Sequence, residues 1–289
     1  MKIILFSRKQ VGHRPEQLRT LLHEIECNNL DYIANEDFAA AIEQLLGIII
    51  PAERRFAEHV APSGDDIVVS YGGDGTLLDA ITLRPDNATP VVGINCGRLG
   101  YLTADDGKGI ERLIRSIAER TLNFEHRTLI EVHGDIGVTG KCLALNEISI
   151  HRHGATMITI EACINAKHVA TYHGDGLVVS TPTGSTAYSL STGGPILDPL
   201  CRCFILSPLA PHNLTMRPIV IPDSSTISLR LDARGGEAFL SADNRTYTLR
   251  DGASITLALA PEELILATPH NNTFYDTLRE KMMWGIDRR

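Results

Sequence analysis

The chain has 289 residues, of which 43% are hydrophobic and 21% charged, a composition typical of a soluble globular protein with room for two domains. No apolar run reaches the length of a transmembrane helix, so we expect no membrane partner. The formal net charge of -8 argues against a general nucleic-acid binder, and we expect no nucleic-acid partner.

The six cysteines are scattered, without a C-x-x-C pair or the spacing of a zinc site. There is no H-E-x-x-H motif, and His151-x-His153 has no obvious third ligand, so we predict no metal-ligating side chains. Because no secretory signal is evident, we interpret the cysteines as reduced thiols and expect a cytoplasmic protein.

Residues 1–124 alternate between two hydrophobic patterns. Short apolar runs at 3–6, 67–70 and 91–95 predict strands, and helical spacing of apolar residues at 15–26, 36–46 and 109–120 predicts helices. Strands that alternate with helices predict a parallel sheet, here in a doubly wound, Rossmann-like α/β domain. In such a domain, ligands bind at the carboxyl ends of the strands.

Residues 125–268 have a different pattern: short, β-branched, often alternating runs separated by Gly, Pro, Asn and Asp. This pattern predicts an all-β domain of layered sheets. Residues 269–289 contain one more helical pattern, with Phe274, Leu278 and Met282 on it. We expect this final helix to pack back on the N-terminal domain.

The motif Gly72-Gly73-Asp74-Gly75 stands between a predicted strand and a predicted helix. Its glycines can adopt positive φ and let a ligand approach the backbone, and the start of the helix favours an anion such as phosphate. Asp74 would repel phosphate, so it needs another role, either accepting a proton from a hydroxyl or sharing a metal ion. The loop therefore suggests phosphoryl transfer, with an ordinary turn as the alternative.

A second loop follows the next strand, at residues 95–102 with the sequence N-C-G-R-L-G-Y-L. Since it also leaves the carboxyl end of a strand and contains two glycines, we expect it to form a second wall of the same site.

Polar segments in the β-rich half supply further candidates. Nine of the sixteen residues at 180–195 carry a Ser, Thr or Tyr hydroxyl, which suits a polar ligand. Asn146 and Glu147 interrupt an apolar run, so they either pair structurally or read the edge of an adenine ring. Asp175 lies in Gly174-Asp175-Gly176, where a β-hairpin turn is a sufficient explanation.

Taken together, these motifs resemble those of the NAD kinases. The resemblance depends on G-G-D-G-T at 72–76, N-E at 146–147, G-D-G at 174–176 and S-T-P-T-G-S-T-A-Y-S-L-S at 180–191, and it extends to Gly97 and Leu99 in the second loop. G-G-D-G-T alone also occurs in diacylglycerol and sphingosine kinases and in relatives of phosphofructokinases. The long hydroxyl-rich stretch at 180–191 is the motif that distinguishes the NAD kinases from these other families.

The resemblance implies transfer of the γ-phosphate of ATP to the 2′-hydroxyl of the adenosine ribose of NAD, giving NADP. It implies a β-sandwich-like C-terminal domain, a divalent cation (Mg²⁺) with ATP, and a homo-oligomer that is a dimer or a tetramer. Asp74 would be the proton acceptor and Gly75 a backbone contact. The other binding residues implied are Asn146, Glu147, His173, Asp175, Thr186, Ala187, Tyr188, Ser189, Leu190, Ser191 and Arg245.

The chain departs from the family pattern at three positions. His173 replaces a basic residue before the G-D-G, Arg245 replaces a common glutamine, and a histidine seen near Thr156 is absent. These differences affect the finer pocket contacts and not Asp74. Two alternative functions remain open from the sequence: a lipid kinase of the diacylglycerol or sphingosine type, and a non-catalytic sensor that binds NAD(H).

Overall fold

The structure is a computed structural model that describes residues 1–9, 12–57, 60, 65–84, 86–96, 100–103, 109–138, 140–269 and 273–285. The chain forms two compact units, Met1–His126 with Leu264–Arg289, and Arg127–Glu263. The helices within the described residues are α1 (Pro15–Cys27), α2 (Glu36–Leu46), α3 (Asp74–Ile81), α4 (Ile110–Ala118), α5 (Tyr188–Ser191) and α6 (Phe274–Met282).

The strands of the same residues are β1 (Lys2–Phe6), β2 (Asp31–Asn35), β3 (Arg55–Phe56), β4 (Ile67–Gly72), β5 (Val91–Asn95), β6 (Asn123–Arg127), β7 (Ile130–Gly134), β8 (Cys142–Ala144), β9 (Glu147–Arg152), β10 (Ile158–Ile164), β11 (Lys167–Gly174), β12 (Gly176–Ser180), β13 (Cys203–Leu209), β14 (Ile219–Pro222), β15 (Ile227–Asp232), β16 (Glu237–Ala242), β17 (Arg245–Arg250), β18 (Ser254–Leu259) and β19 (Leu264–Thr268). No helix in the described part of the chain is long and apolar enough to cross a membrane.

The first unit is built on a seven-stranded sheet in the order β3-β2-β1-β4-β5-β19-β6. The pairs β1 with β2, β1 with β4, and β4 with β5 are all parallel. β4 is buried along its whole length, as expected of a central strand covered on both faces. The predicted α/β fold with a parallel sheet is confirmed, and it places the loop after β4 at a carboxyl end.

One strand of this sheet comes from the far end of the sequence. β19 pairs in parallel with β5, through Leu266 and Val91, so Leu264–Thr268 belongs to the first unit. The sequence-based border at residue 268 had assigned this strand to the β-rich domain, and the structure corrects it. The apolar pattern of a short strand does not specify its partner, which here lies far away in the sequence.

The second unit consists of two six-stranded sheets, β11-β10-β15-β18-β7-β8 and β14-β13-β12-β9-β16-β17, with antiparallel pairing throughout. β15 shows the alternation of a strand with one buried face, since Ile227, Leu229 and Leu231 are buried and the residues between them are exposed. A single hydrophobic cluster contains residues of both sheets, including Ile150 and Leu257. The predicted β-sandwich-like fold is confirmed.

The Gly174-Asp175-Gly176 segment is not a hairpin turn. β11 ends at Gly174 and pairs with β10 in one sheet, whereas β12 begins at Gly176 and pairs with β9 and β13 in the other. Both glycines are needed for close packing, because a Cβ at Gly176 would overlap the Ile150 carbonyl oxygen and one at Gly174 would lie 2.8 Å from that of Leu209. The hairpin interpretation was therefore wrong, and Asp175 marks a crossing between sheets.

Candidate functional site

Asp74 is the first residue of α3, immediately after the carboxyl end of β4 and Gly73. The three loop glycines can adopt positive φ, but none of them does so in the structure. The glycine at 72 serves close packing instead, because a Cβ there would overlap the side chain of Thr76. The short connection therefore places Asp74 at the end of the sheet without left-handed backbone.

The carboxylate of Asp74 is held by three hydrogen bonds from the following loop. The backbone N–H of Tyr101 donates to Oδ2 at 2.7 Å, the N–H of Leu102 donates to Oδ1 at 3.2 Å, and the hydroxyl of Thr103 donates to Oδ1 at 3.3 Å. A carboxylate offers about four acceptor positions. These contacts leave one position on Oδ2 for a further donor, such as a substrate hydroxyl.

The second loop is itself fixed around Thr103. Its hydroxyl accepts the Asn95 side-chain amide at 3.1 Å and the Gly100 backbone N–H at 3.1 Å. Gly100 has no room for a side chain, because a Cβ there would overlap the Asp74 carboxylate. The predicted second wall thus contacts Asp74 directly, whereas Gly97 and Leu99 of the motif lie outside the described residues.

Two cations that the sequence did not indicate lie near the two loops around Asp74. The guanidinium of Arg8 forms an ion pair with Asp79 of α3, and a Cβ at Gly75 would be 3.4 Å from its Nη1. The ammonium of Lys281, on α6, lies 4.4 Å from the centroid of the Tyr101 ring. Burial raises the pKa of Tyr101, and the negative charge of Asp74 adds to that shift. Both cations reach the loop from distant parts of the sequence, so no local pattern could have revealed them.

In the second unit, Asn146 lies in a turn immediately before β9, and Glu147 is the first residue of that strand. The carboxylate of Asp243 holds this turn, accepting the backbone N–H groups of Leu145 at 2.9 Å, Asn146 at 2.7 Å and Glu147 at 3.2 Å. Burial raises the pKa of Asp243, and the three N–H donors oppose that rise. Sequence reasoning missed this role of Asp243.

Glu147 is the most electrostatically perturbed group of the predicted set. Its Oε2 is buried without a hydrogen-bond partner among the described residues. Burial, together with the nearby charge of Asp243, raises the pKa of Glu147 from 4.5 to about 8, against the opposing effect of the Tyr188 backbone N–H. The side chain can therefore be neutral near pH 7 and donate a hydrogen bond to a ring nitrogen.

The residues of the hydroxyl-rich stretch at 180–191 form two sets, a buried inner set and a more exposed outer set. In the inner set, the Thr181 hydroxyl supports the turn before β9 by donating to the Leu145 carbonyl at 2.5 Å, and the Ser189 hydroxyl lies 3.5 Å from that of Ser207 in β13. Ser189 is 0% exposed, so its hydroxyl points away from solvent. The outer, partly or fully exposed set is Thr186, Ala187, Tyr188, Leu190 and Ser191.

Tyr188 connects these residues to the neighbouring strand. Its ring stacks on that of His151, with centroids 5.4 Å apart and an angle of 25° between the planes. Burial raises the pKa of Tyr188, and the charges of Glu147 and Asp175 add to the shift. Asn146, Glu147, Tyr188 and Asp175 therefore share one polar region of the second unit, whereas Asp74 belongs to the first unit.

The remaining predicted residues have partners of their own. Asp175 accepts the Nε–H of Arg152 at 2.6 Å, an ion pair that the sequence did not indicate. His173 Nδ1 lies 3.1 Å from the exposed Thr159 hydroxyl. Arg245 donates to the Leu143 carbonyl and places a positive charge beside Asp243, so it supports the turn that contains Asn146.

Within the residues that the structure describes, no group of three or more His, Cys, Asp or Glu side chains is arranged to hold a metal ion. Mg²⁺ commonly takes one or two carboxylates and completes its shell with phosphates and water.

Two family models match the chain. The model of the ATP-NAD kinase N-terminal domain matches residues 5–122, and that of the ATP-NAD kinase C-terminal domain matches residues 145–266. Among curated proteins, an NAD kinase of Porphyromonas gingivalis is 38% identical over 288 residues, which cover 98% of each chain.

Solved structures show the same fold. The yeast NADH kinase in complex with NADH matches with a TM-score of 0.83 and 22% identity, covering 100% of this chain and 89% of its own. An NAD kinase from Archaeoglobus fulgidus in complex with ATP matches with a TM-score of 0.75 and 24% identity, covering 98% of this chain and 99% of its own.

Proposed function

The chain belongs to the ATP-NAD kinase family and is an NAD kinase, a phosphotransferase, and we propose that the carboxylate of Asp74 accepts the proton of the hydroxyl that is phosphorylated. The acceptor is the 2′-hydroxyl of the adenosine ribose of NAD. The observation that carries this proposal is the arrangement of Asp74, with three donors on its carboxylate and one acceptor position left on Oδ2.

The chemistry follows from that arrangement. The ribose oxygen attacks the γ-phosphorus of ATP, the bond from that phosphorus to the β,γ-bridging oxygen breaks, and the hydroxyl proton passes to Oδ2 of Asp74. Phosphoryl transfer proceeds mainly through a loose transition state, so positioning the nucleophile matters more than strong basicity. A carboxylate fixed by two backbone N–H groups and a hydroxyl meets that requirement.

Recognition of NAD is proposed for the polar region of the second unit. Asn146, 9% exposed and fixed by Asp243, presents a carboxamide, and Glu147 presents a carboxyl with one oxygen that has no hydrogen-bond partner among the described residues. Adenine offers an amino donor beside ring acceptors, which these two groups can read together. Tyr188, Thr186, Ala187, Leu190 and Ser191 are exposed enough to line the pocket, and Asp175 would contact the nicotinamide end.

Two residues of the predicted binding set are proposed for supporting roles, and His173 is proposed for a contact with the ligand. Ser189 is buried behind the pocket wall, and Arg245 supports the turn before β9. His173 offers an imidazole at an exposed position, where it would contact the pyrophosphate of NAD.

The phosphoryl donor is ATP, and we propose that Mg²⁺ enters as the ATP complex. The ATP-bound Archaeoglobus fulgidus relative supports the donor, and the lack of a three-ligand cluster among the described residues favours an ion held by phosphates. Within the chain, the loop of Gly75 at the start of α3 is the proposed contact for the donor.

The comparisons do not support the two alternatives, a lipid kinase of the diacylglycerol or sphingosine type and a non-catalytic NAD(H) sensor. From the family resemblance we also propose a homo-oligomer, either a dimer or a tetramer, in the cytoplasm. Size-exclusion chromatography with light scattering distinguishes these states from a monomer.

The test of the proposed reaction uses purified protein, MgATP and NAD, with NADP measured by an NADP-specific dehydrogenase. A matched control replaces NAD by an analogue that lacks the adenosine 2′-hydroxyl. We expect NADP from NAD and no phosphorylated product from the analogue. Phosphorylation of the analogue at a comparable rate would show that another hydroxyl is the acceptor.

A further inference from the structure

The side chain of Lys281 occupies an unusual position for a lysine. It lies near the end of α6, a helix that begins with a capping box between Thr273 and Asp276. Lys281 is partly buried, and its ammonium lies 4.4 Å from the centroid of the Tyr101 ring. A cation over an aromatic face is held electrostatically, so the ring fixes the direction of this side chain.

Lys281 differs from its neighbour Arg279 in how its charge is balanced. Arg279 forms an ion pair with Asp276, whereas no ion pair to Lys281 occurs within the described residues. Burial lowers the pKa of Lys281, and the negative charge of Asp74 opposes that shift. Burial of a cation that forms no close ion pair costs free energy, and an anionic ligand would reduce that cost.

Tyr101 links this cation to the proposed catalytic carboxylate. The Lys281 ammonium lies over the Tyr101 ring, while the backbone N–H of Tyr101 donates to Oδ2 of Asp74 at 2.7 Å. One residue therefore positions both a positive and a negative group at the end of the sheet. The negative group alone would repel the phosphates of a nucleotide, which carry several negative charges.

We infer that Lys281 binds the phosphate groups of the donor nucleotide beside Asp74, with the Tyr101 ring holding its ammonium in place. This inference rests on the proposed function, in which Asp74 receives the proton during phosphoryl transfer. The negative charge on the transferring group is spread over three oxygens, and an ammonium is a compact charge that can follow them. In the same phosphoryl-transfer step, Asp74 then accepts the proton and Lys281 stabilises the charge of the phosphate groups.

The test compares Lys281→Met, Lys281→Arg and the control Arg279→Met in the full-length chain. Methionine keeps the apolar stem and removes the charge, and Arg279 loses a charge on the same helix at a position that pairs with Asp276. We expect Lys281→Met to lower kcat/KM for ATP by about 10-fold or more, with KM for NAD within about 3-fold of the wild type. Lys281→Arg, which keeps the positive charge, should lower kcat/KM for ATP less than Lys281→Met does, and Arg279→Met should stay within about 3-fold of the wild type.

A binding measurement without NAD separates phosphate recognition from packing. Inorganic tripolyphosphate, titrated calorimetrically, should bind Lys281→Met about 10-fold more weakly than wild type and Arg279→Met equally well. Unchanged tripolyphosphate binding by Lys281→Met would overturn the inference, even if that variant were less stable, because Lys281 would then only pack on Tyr101.

The variant Asp74→Asn, measured in the same assays, distinguishes the proposed role of Asp74 from that of Lys281. If this variant loses turnover while Lys281→Met behaves as wild type in both assays, only the role of Lys281 fails. If Asp74→Asn turns over normally, the role of Asp74 fails, and tripolyphosphate binding still decides the role of Lys281.

Discussion

Oδ1 of Asp243 lies 2.7 Å from the backbone nitrogen of Asn146, and the same carboxylate accepts the N–H groups of Leu145 and Glu147. Three consecutive backbone donors on one side chain define the turn that presents Asn146 and Glu147. The partner residue is almost one hundred positions away, at the end of β16. The polar region of the second unit therefore depends on a residue with no proposed contact to substrate.

The first prediction concerns Asp243→Asn. An amide has one acceptor oxygen and directs an NH₂ group at donors that it cannot satisfy, so we expect the free energy of unfolding to fall by about 2 kcal/mol. KM for NAD should rise, because the turn loses its geometry. Chemical denaturation and steady-state kinetics measure the two effects.

Asp251→Asn is the matched control for that variant. Asp251 also accepts two backbone N–H groups, from Ala233 at 2.6 Å and Gly235 at 2.9 Å, in a turn outside the predicted site. We expect the control to leave KM for NAD unchanged. An equal rise of KM in both variants would remove the special role of Asp243.

The second prediction concerns pH and Glu147. Burial raises the pKa of this carboxyl from 4.5 to about 8, so the folded state holds its proton where the unfolded state has lost it. The stability that this group contributes is complete below about pH 4.5 and is lost as the pH rises towards 8, with a slope of up to about 1.4 kcal/mol per pH unit for one proton.

Glu147→Gln is the test, since glutamine has the same shape and does not titrate. Urea unfolding of both proteins between pH 5 and 8 should show the wild type losing stability relative to the variant as the pH rises. Parallel curves over that range would mean that Glu147 is ionised in the folded protein.

Much of the architecture follows from the sequence, because local periodicity distinguishes buried parallel strands from alternating antiparallel ones. β4 and β15 show these two patterns, and both are observed as expected. The motifs also indicated Asp74 and the Asn146-Glu147 pair. Periodicity does not show which strands pair with each other. β19 has an ordinary strand pattern, yet it joins a sheet formed mainly by the first hundred residues.

The supporting residues of the site could not be predicted for the same reason. Arg152, Asp243 and Lys281 act through contacts with residues that are distant in sequence or in another strand. Their side chains belong to types that are common on protein surfaces, so their identities alone carry no signal. The hairpin interpretation of Asp175 failed because a turn signal does not say which sheet the next strand enters.

The third prediction concerns the second loop. Gly100→Ala would place a methyl group on the Asp74 carboxylate, so the loop or the carboxylate must move. Because a displacement of about 1 Å can cost 10²-fold in rate, we expect kcat to fall by about 10²-fold while the thermal unfolding temperature changes little.

Gly12→Ala serves as the control for Gly100→Ala, since a Cβ at Gly12 would have no described atom within 4 Å. It should keep wild-type turnover. Wild-type turnover in Gly100→Ala itself would show that the contact between the loop and Asp74 is not needed for catalysis.

The most direct measurement for the central claim is the turnover of Asp74→Asn together with its affinity for NAD. Asparagine keeps the size of the side chain and removes its ability to accept the ribose proton. We expect kcat to fall by about 10²-fold or more, while the Kd for NAD, measured by calorimetry, stays within about 3-fold of the wild type. Near-wild-type kcat in a folded Asp74→Asn variant would show that another group accepts the proton.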